Sequence, residues 1–173
     1  PKTNIFSSLE VVWPKADSEI KLIGLYNSYL YSLDAKNNLI AKHKESTTGF
    51  AKGSLWLKEN FSADNIINWT IDGSIYAAKP NGAVFKLDSG RLQNFSLISL
   101  DPQLNSAVKI FSAPDSPNLF ILDPGQKRVI IWDKKTLKLA AQYPAKEFLD
   151  LKDFDIDEKS KTIYLLNGMK IQS

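Results

Sequence analysis

Leu119-Phe120-Ile121-Leu122-Asp123-Pro124-Gly125-Gln126-Lys127-Arg128-Val129-Ile130-Ile131-Trp132 reads as an apolar run, a polar turn and a second apolar run. Proline, with its fixed φ, and glycine, with its access to positive φ, mark the turn. The flanking runs are short and rich in β-branched and aromatic side chains, which predicts strands. Working outward, the pair Leu119-Phe120 has counterparts at Leu30-Tyr31, Ile75-Tyr76 and Ile163-Tyr164. The aromatic positions lie 45, 44 and 44 residues apart. Three nearly equal intervals with the same local order establish an internal repeat, which takes precedence over any local assignment.

Two residues beyond each aromatic stands Leu33, Ala78, Leu122 or Leu166, followed by Asp34, Lys79, Asp123 or Asn167 and then a turn. A further apolar segment follows at Leu39-Ile40-Ala41, Ala83-Val84-Phe85 and Val129 to Trp132. Upstream strands are predicted at Ile20 to Tyr26, Ile66 to Ile71, Ala107 to Phe111 and Phe154 to Ile156. Fourth strands are predicted at Phe95 to Leu100, at Leu139 to Tyr143 and, in the first copy, at Leu55-Trp56-Leu57. A period near 44 with about four strands is that of a propeller blade. A twisted sheet with two apolar faces cannot cover both alone, so neighbouring sheets must.

The expected fold is therefore all-β, a β-propeller of four-stranded antiparallel blades in a single domain over 1–173. The repeats run near 15–60, 61–102, 103–147 and 148–173. Tyr31, Tyr76, Phe120 and Tyr164 are assigned to packing between blades. The last copy stops in what should be its third strand. Residues 5–13, Ile5 to Trp13, are expected to supply its outer strand and so cover an exposed edge. A small ring of four blades, closure through dimerisation and a piece of a larger propeller all stay open.

On these motifs the chain resembles the NHL and YncE-like branch of β-propellers. Residues 119–132 are similar to the NHL order of apolar strand, Asp, small turn, Arg-Val and second strand, and Tyr29 to Ile40 is a looser copy. WD40 is the weaker match, because Trp132-Asp133 lacks the Gly-His partner earlier in the blade. From Gly49 to Lys170 the layout also resembles the C-terminal propeller of some bacterial membrane-tethered proteins. The shared features include Trp56-Leu57-Lys58, Ile71 to Tyr76, Asp123-Pro124-Gly125 and Leu151 to Phe154. Several of those proteins carry a phosphatase-like domain across the membrane. The resemblance implies an extracytoplasmic sensing or binding domain, with any anchor in sequence outside this chain.

Apolar residues make up 43% and charged residues 24%, the balance of an ordinary globular domain. No apolar run reaches the roughly 18–20 residues that span a bilayer. Pro1-Lys2-Thr3-Asn4 does not resemble a signal peptide, and the missing initiator Met is expected of a processed or excised product. The 22 basic and 19 acidic side chains leave a formal charge of +3, a weak field. Nucleic acid is not expected, because no concentrated basic stripe is present. Lys127-Arg128 and Lys134-Lys135 through Lys138 read as solvated turns. The absence of Cys excludes disulfides and thiolate metal sites.

Chemistry-bearing constellations are scarce. The one histidine, His43, sits between lysines and is expected at the surface. With no Cys and one His, zinc in its usual ligand sets is not expected. There is no P-loop, dinucleotide fingerprint or nucleophile elbow. Hence no catalytic residue, metal or cofactor is assigned, and the chain is not expected to be an enzyme. Asp34, Asp88 and Asp123 end strands, where they should bond local amides. Ligand-binding candidates are Trp56 and the run Asp153, Asp155, Asp157, whose alternation places the three carboxylates on one face of a strand. Trp56 lies beside the long Lys44 to Gly53 connection and is the best exposed-aromatic candidate.

The leading expectation is a non-enzymatic binding or scaffold module that recognises a protein or other macromolecule through propeller loops, with self-association open. The alternative is a carbohydrate-binding or carbohydrate-processing propeller built on the tryptophans and the three aspartates. Buried tryptophans count against that alternative.

Overall fold

The computed structural model of the chain describes residues 9–97, 100–104, 106 and 109–173. Among these it is all-β, with seventeen strands and one 3-10 turn, and no helix is long and apolar enough to cross a membrane. The strands form four small sheets, the four blades that the repeat predicted. They belong to two compact units, one ending at Asp64 and one running Asn65–Ser173.

The first unit holds β1 (Glu10–Val11), β2 (Ile20–Tyr26), β3 (Tyr29–Asp34), β4 (Leu39–Ser46), β5 (Gly49–Phe50) and β6 (Ser54–Leu55). Their order is β1-β5-β4-β3-β2, with β6 also on β4. Asn27 and Ser28 join β2 to β3 with positive φ at both positions, the turn that follows the right-handed twist of paired strands. Asp34 closes the next turn. Its carboxylate accepts from the amides of Asn37 at 3.1 Å and Glu19 at 3.2 Å, as expected of a strand-ending Asp.

The second unit holds three sheets. The second sheet is β7 (Asn68–Ile71), β8 (Ile75–Ala78), β9 (Val84–Asp88) and β10 (Arg91–Leu92). The third is β11 (Lys109–Phe111), β12 (Asn118–Asp123), β13 (Arg128–Asp133) and β14 (Lys138–Pro144). The fourth is β15 (Leu151–Asp157), β16 (Thr162–Asn167) and β17 (Lys170–Gln172), in that order. Tyr76, Ala78 and Val84 of the second sheet pack on Leu119, Ile121, Ile130 and Trp132 of the third. The other face of the third sheet, with Phe120, Leu122 and Val129, packs on Phe154 and Leu165 of the fourth. Burial of each large apolar side chain contributes roughly 1.5–3 kcal/mol. The alternation of each strand thus builds two cores, one on either side of the third sheet.

Two of the repeat-equivalent aromatics share surroundings as well as positions. Tyr31 stands opposite Lys42 and Tyr76 opposite Lys86, each ammonium 5.6 Å from the ring centroid. Tyr31, Tyr76 and Phe120 are buried. Tyr164 is not: it is 44% exposed, a correction to its assignment as a packing residue. It lies on the face of the fourth sheet turned away from Phe120, where no core cluster forms among the described residues.

Three strand predictions change. The fourth strand of the second sheet is Arg91–Leu92 rather than Phe95 to Leu100, because Ser89 and Gly90 both adopt positive φ and turn the chain straight back; Ile98 and Ser99 lie outside the described residues. The fourth strand of the first copy is Ser54–Leu55, one residue earlier than the predicted run. Residues 10 and 11, expected at the edge of the last sheet, pair in parallel with Gly49 and Phe50; residues 5–8 lie outside the described residues. Gly49 permits that pairing. Its φ is +152°, and a Cβ there would fall on the Glu10 backbone.

Candidate functional site

The turn that decided the fold carries a buried ion pair. Asp123 accepts from the Gln126 amide at 3.4 Å, Pro124 opens the 3-10 turn, and Lys127 closes it at a φ of 53°. Arg128 then folds inward. Its Nε donates to Asp123 at 3.0 Å, one terminal nitrogen donates to Gln142 at 2.8 Å, and the other donates to the Pro102 carbonyl. Both members of this ion pair are buried, so Arg128 is not the solvated turn residue expected of it. A guanidinium tolerates such a place only when its fork of donors is satisfied, as it is here.

Lys134 is corrected in the same way. Its ammonium donates to Asp72 at 2.7 Å, Ser112 Oγ at 2.8 Å and the Ala113 carbonyl at 3.3 Å. Ser112 in turn donates to Asp72 at 2.7 Å. With Thr70 Oγ1 donating to the Ser112 carbonyl and Ile110 N donating to Asn68, this network ties β7 to β11 and seals the junction of the second and third sheets. No spacing in the sequence marks it, since Lys134 and Asp72 are far apart along the chain.

The junction of the third and fourth sheets is different. In the third sheet β13 and β14 have six and seven residues, whereas β17 has three and is the last strand of its sheet. Between the two sheets lies a groove of about 1000 Å³. Phe120, Ile131, Ile163 and Leu165 line it, with Tyr143, Glu158 and Lys161 among its other lining residues. Tyr143 is exposed, so the groove offers an aromatic side chain to solvent. Asn167, at the repeat position of Asp34 and Asp123, steadies the nearby chain: it accepts from the Asp150 amide at 2.9 Å and donates to the Glu147 carbonyl at 2.9 Å.

The sequence-derived candidates lie elsewhere. Asp153, Asp155 and Asp157 are exposed and alternate with Phe154 and Ile156, as predicted. Each is engaged locally. Asp153 pairs with Lys109 at 2.6 Å and accepts from the Phe154 amide, Asp155 accepts from the Ile156 amide, and Asp157 accepts from the amides of Lys159 and Ser160. Bonds from the Ser160 hydroxyl and amide hold the Asp157 carboxyl below the usual range. Among the described residues no group of three or more His, Cys, Asp or Glu side chains is placed to hold a metal ion.

Trp56 is half-buried, with its ring edge-on to Tyr31 at 5.9 Å, rather than an exposed platform. Trp69 and Trp132 are buried. His43 is also buried, contrary to expectation. It bonds Ser32 at 2.9 Å and the Ala51 carbonyl at 3.1 Å, and Trp13 stands edge-on to its ring at 5.5 Å. The Lys44 to Gly53 connection is itself a short hairpin, with Glu45 opposite Phe50 and Ser46 opposite Gly49.

Known proteins share this fold but little sequence. The computationally designed Ika4 protein is 10% identical with a TM-score of 0.65, over 97% of each chain. A chain of the nidogen/laminin complex is 13% identical with a TM-score of 0.58, over 78% of this chain and 53% of that one. The WD40 repeats of RRP9 are 9% identical with a TM-score of 0.60, over 89% of this chain and 46% of that one. The chain thus spans about half the length of the latter two. No family model matches, and no curated protein matches. What is common is the β-propeller fold, WD40-type propellers included, and not the NHL or YncE-like branch in particular.

Proposed function

We propose that this chain is a non-enzymatic binding module that takes an extended protein segment into the groove between its third and fourth sheets. The groove itself carries the reading: an apolar lining with a few polar and charged groups, large enough for several side chains. A strand laid along the outer edge of β17 would exchange main-chain hydrogen bonds with it, while alternate side chains reach Phe120 and Ile131. The resemblance of Gly49 to Lys170 to the C-terminal propeller of some bacterial membrane-tethered proteins supports a wider role as the extracytoplasmic sensor of a larger membrane-tethered protein. No observation favours the carbohydrate alternative, because two tryptophans are buried, Trp56 packs on Tyr31, and the three aspartates bond their own backbone.

The test is selection of a displayed library of extended peptides against the folded chain. Peptides with alternating apolar residues should be enriched. Tyr143→Ala and Ile163→Lys should each weaken them about tenfold or more while circular dichroism stays unchanged. A failure to enrich any peptide, or peptides indifferent to both variants, overturns the reading.

A further inference from the structure

The dipeptide Asn-Gly occurs twice in the chain, at Asn81-Gly82 and Asn167-Gly168. Both pairs lie where the second strand of a sheet turns into the third, β8 into β9 and β16 into β17. Both glycines adopt positive φ, 83° and 63°, which suits them to such turns. A glycine also has no side chain to shield its amide nitrogen, so that nitrogen can attack the carboxamide of the asparagine before it. The two carboxamides are held very differently. Asn167 is tied to other segments: Oδ1 accepts from the Asp150 amide at 2.9 Å, and Nδ2 donates to the Glu147 carbonyl at 2.9 Å and to Gln172 Oε1 at 3.0 Å. The Gly168 amide donates to the Asp150 carbonyl at 2.8 Å. Asn81 is exposed, and its side chain bonds only within its own turn, Oδ1 accepting from the Ala83 amide at 3.1 Å. The Gly82 amide donates to the Lys79 carbonyl at 3.0 Å, three residues back. Gly82 also lines a cleft of about 310 Å³ beside Phe95 and Gln103, roomy enough for water.

We propose that Asn81 is a site of spontaneous deamidation in the folded protein and that the fold protects Asn167 from the same reaction. The chemistry needs only water. The Gly82 nitrogen loses its proton to hydroxide and bonds to Asn81 Cγ. The bond from Cγ to Nδ2 breaks, ammonia leaves, and a succinimide ring joins the two residues. Water then opens the ring at either carbonyl, giving aspartate or isoaspartate. The Ala83 amide already donates to Oδ1, the oxygen that takes up negative charge in the first step. Loss of the Gly82 proton and the Asn81 nitrogen breaks one hydrogen bond, to Lys79. The same losses at Gly168 and Asn167 would break three, to Asp150, Glu147 and Gln172. The product carries a new carboxylate. The isoaspartate form also lengthens the main chain by a methylene inside the turn where the Lys79 amide bonds the Ala83 carbonyl at 2.9 Å, so this turn loosens with age. The turn lies outside the groove between the third and fourth sheets.

The test is to hold the folded 173-residue chain at mildly alkaline pH and follow it by tandem mass spectrometry of its peptides. Acid at position 81, as separate aspartate and isoaspartate products, should accumulate at least about tenfold faster than acid at position 167. In urea both turns are lost, the two Asn-Gly pairs have the same local chemistry, and the two rates should converge. Gln172→Ala removes one bond that holds Asn167 and should raise its rate in the folded chain several-fold, with Asn81 unchanged. An Asn81 that stays intact while the chain ages overturns the proposal. So does an Asn167 that converts as fast as Asn81 in the folded chain, a difference that persists in urea, or an Asn167 indifferent to Gln172→Ala.

Discussion

The third sheet is packed on both faces, and the two junctions it makes differ in one respect. Toward the second sheet, Trp132, Leu119 and Ile130 are fully buried and the Lys134–Asp72–Ser112 network closes the polar margin. Toward the fourth, an apolar face carrying Phe120 and Ile131 lines a groove. Alternation along a strand decides which side chains face a neighbour, but the packing of that neighbour decides whether those side chains become core or accessible surface. One sheet thus has a sealed face and a face that lines a groove.

Substitutions can break that contrast. The largest effect is expected at the sealed junction, where Trp132→Ala should cost about 3–5 kcal/mol in urea unfolding, from lost burial plus the cavity left behind. Arg128→Met, beneath the groove's third-sheet wall, should cost about 3 kcal/mol. The cost is held to that level because Asp123 still accepts from Gln126 N and Ser106 Oγ; replacing Asp123 by Leu in the same chain should recover much of the loss. Lys134→Met leaves Asp72 with Ser112 and the Ser74 amide, and should cost about 1–3 kcal/mol. At the open junction Tyr143→Ala should stay within about 0.5 kcal/mol of wild type. If it destabilises as much as Lys134→Met, the groove is structural and the contrast fails.

The smallest effect is a pH dependence at the β13–β14 turn. The Thr136 amide and hydroxyl, with the Lys135 amide, hold the Asp133 carboxyl below its ordinary value of 3.8. A depressed carboxyl stabilises the fold above its unfolded value, and that contribution is lost as pH falls through the folded value. Acid unfolding followed by circular dichroism should therefore flatten slightly at its acidic end in Asp133→Asn. An unchanged profile would show that the turn does not depend on the charge.

Local features were legible because they depend on neighbours in the chain. Asp34 and Asp123 closed the turns assigned to them, since their acceptors sit three residues from the amides they bind. The failures share a cause of the opposite kind. His43 is buried because Gly53 lets the chain press on its ring, where a Cβ would lie 2.6 Å from Cε1, and because Trp13 covers it. Lys134 finds its carboxylate 62 residues away. The fourth strand of the second sheet was misplaced because the tight Ser89-Gly90 turn was outweighed by the more apolar run after it.

From the residues alone followed the repeat, its period, the all-β class and the alternation that gives each sheet two faces, because these rest on side-chain chemistry at fixed short spacings. Which faces are covered was decided only by the tertiary structure. Coverage depends on how sheets distant in sequence pack on one another, which is a relation between segments and not a property of either. The groove, the buried Arg128, the Lys134–Asp72 pair and the exposed Tyr164 all arise from relations of that kind.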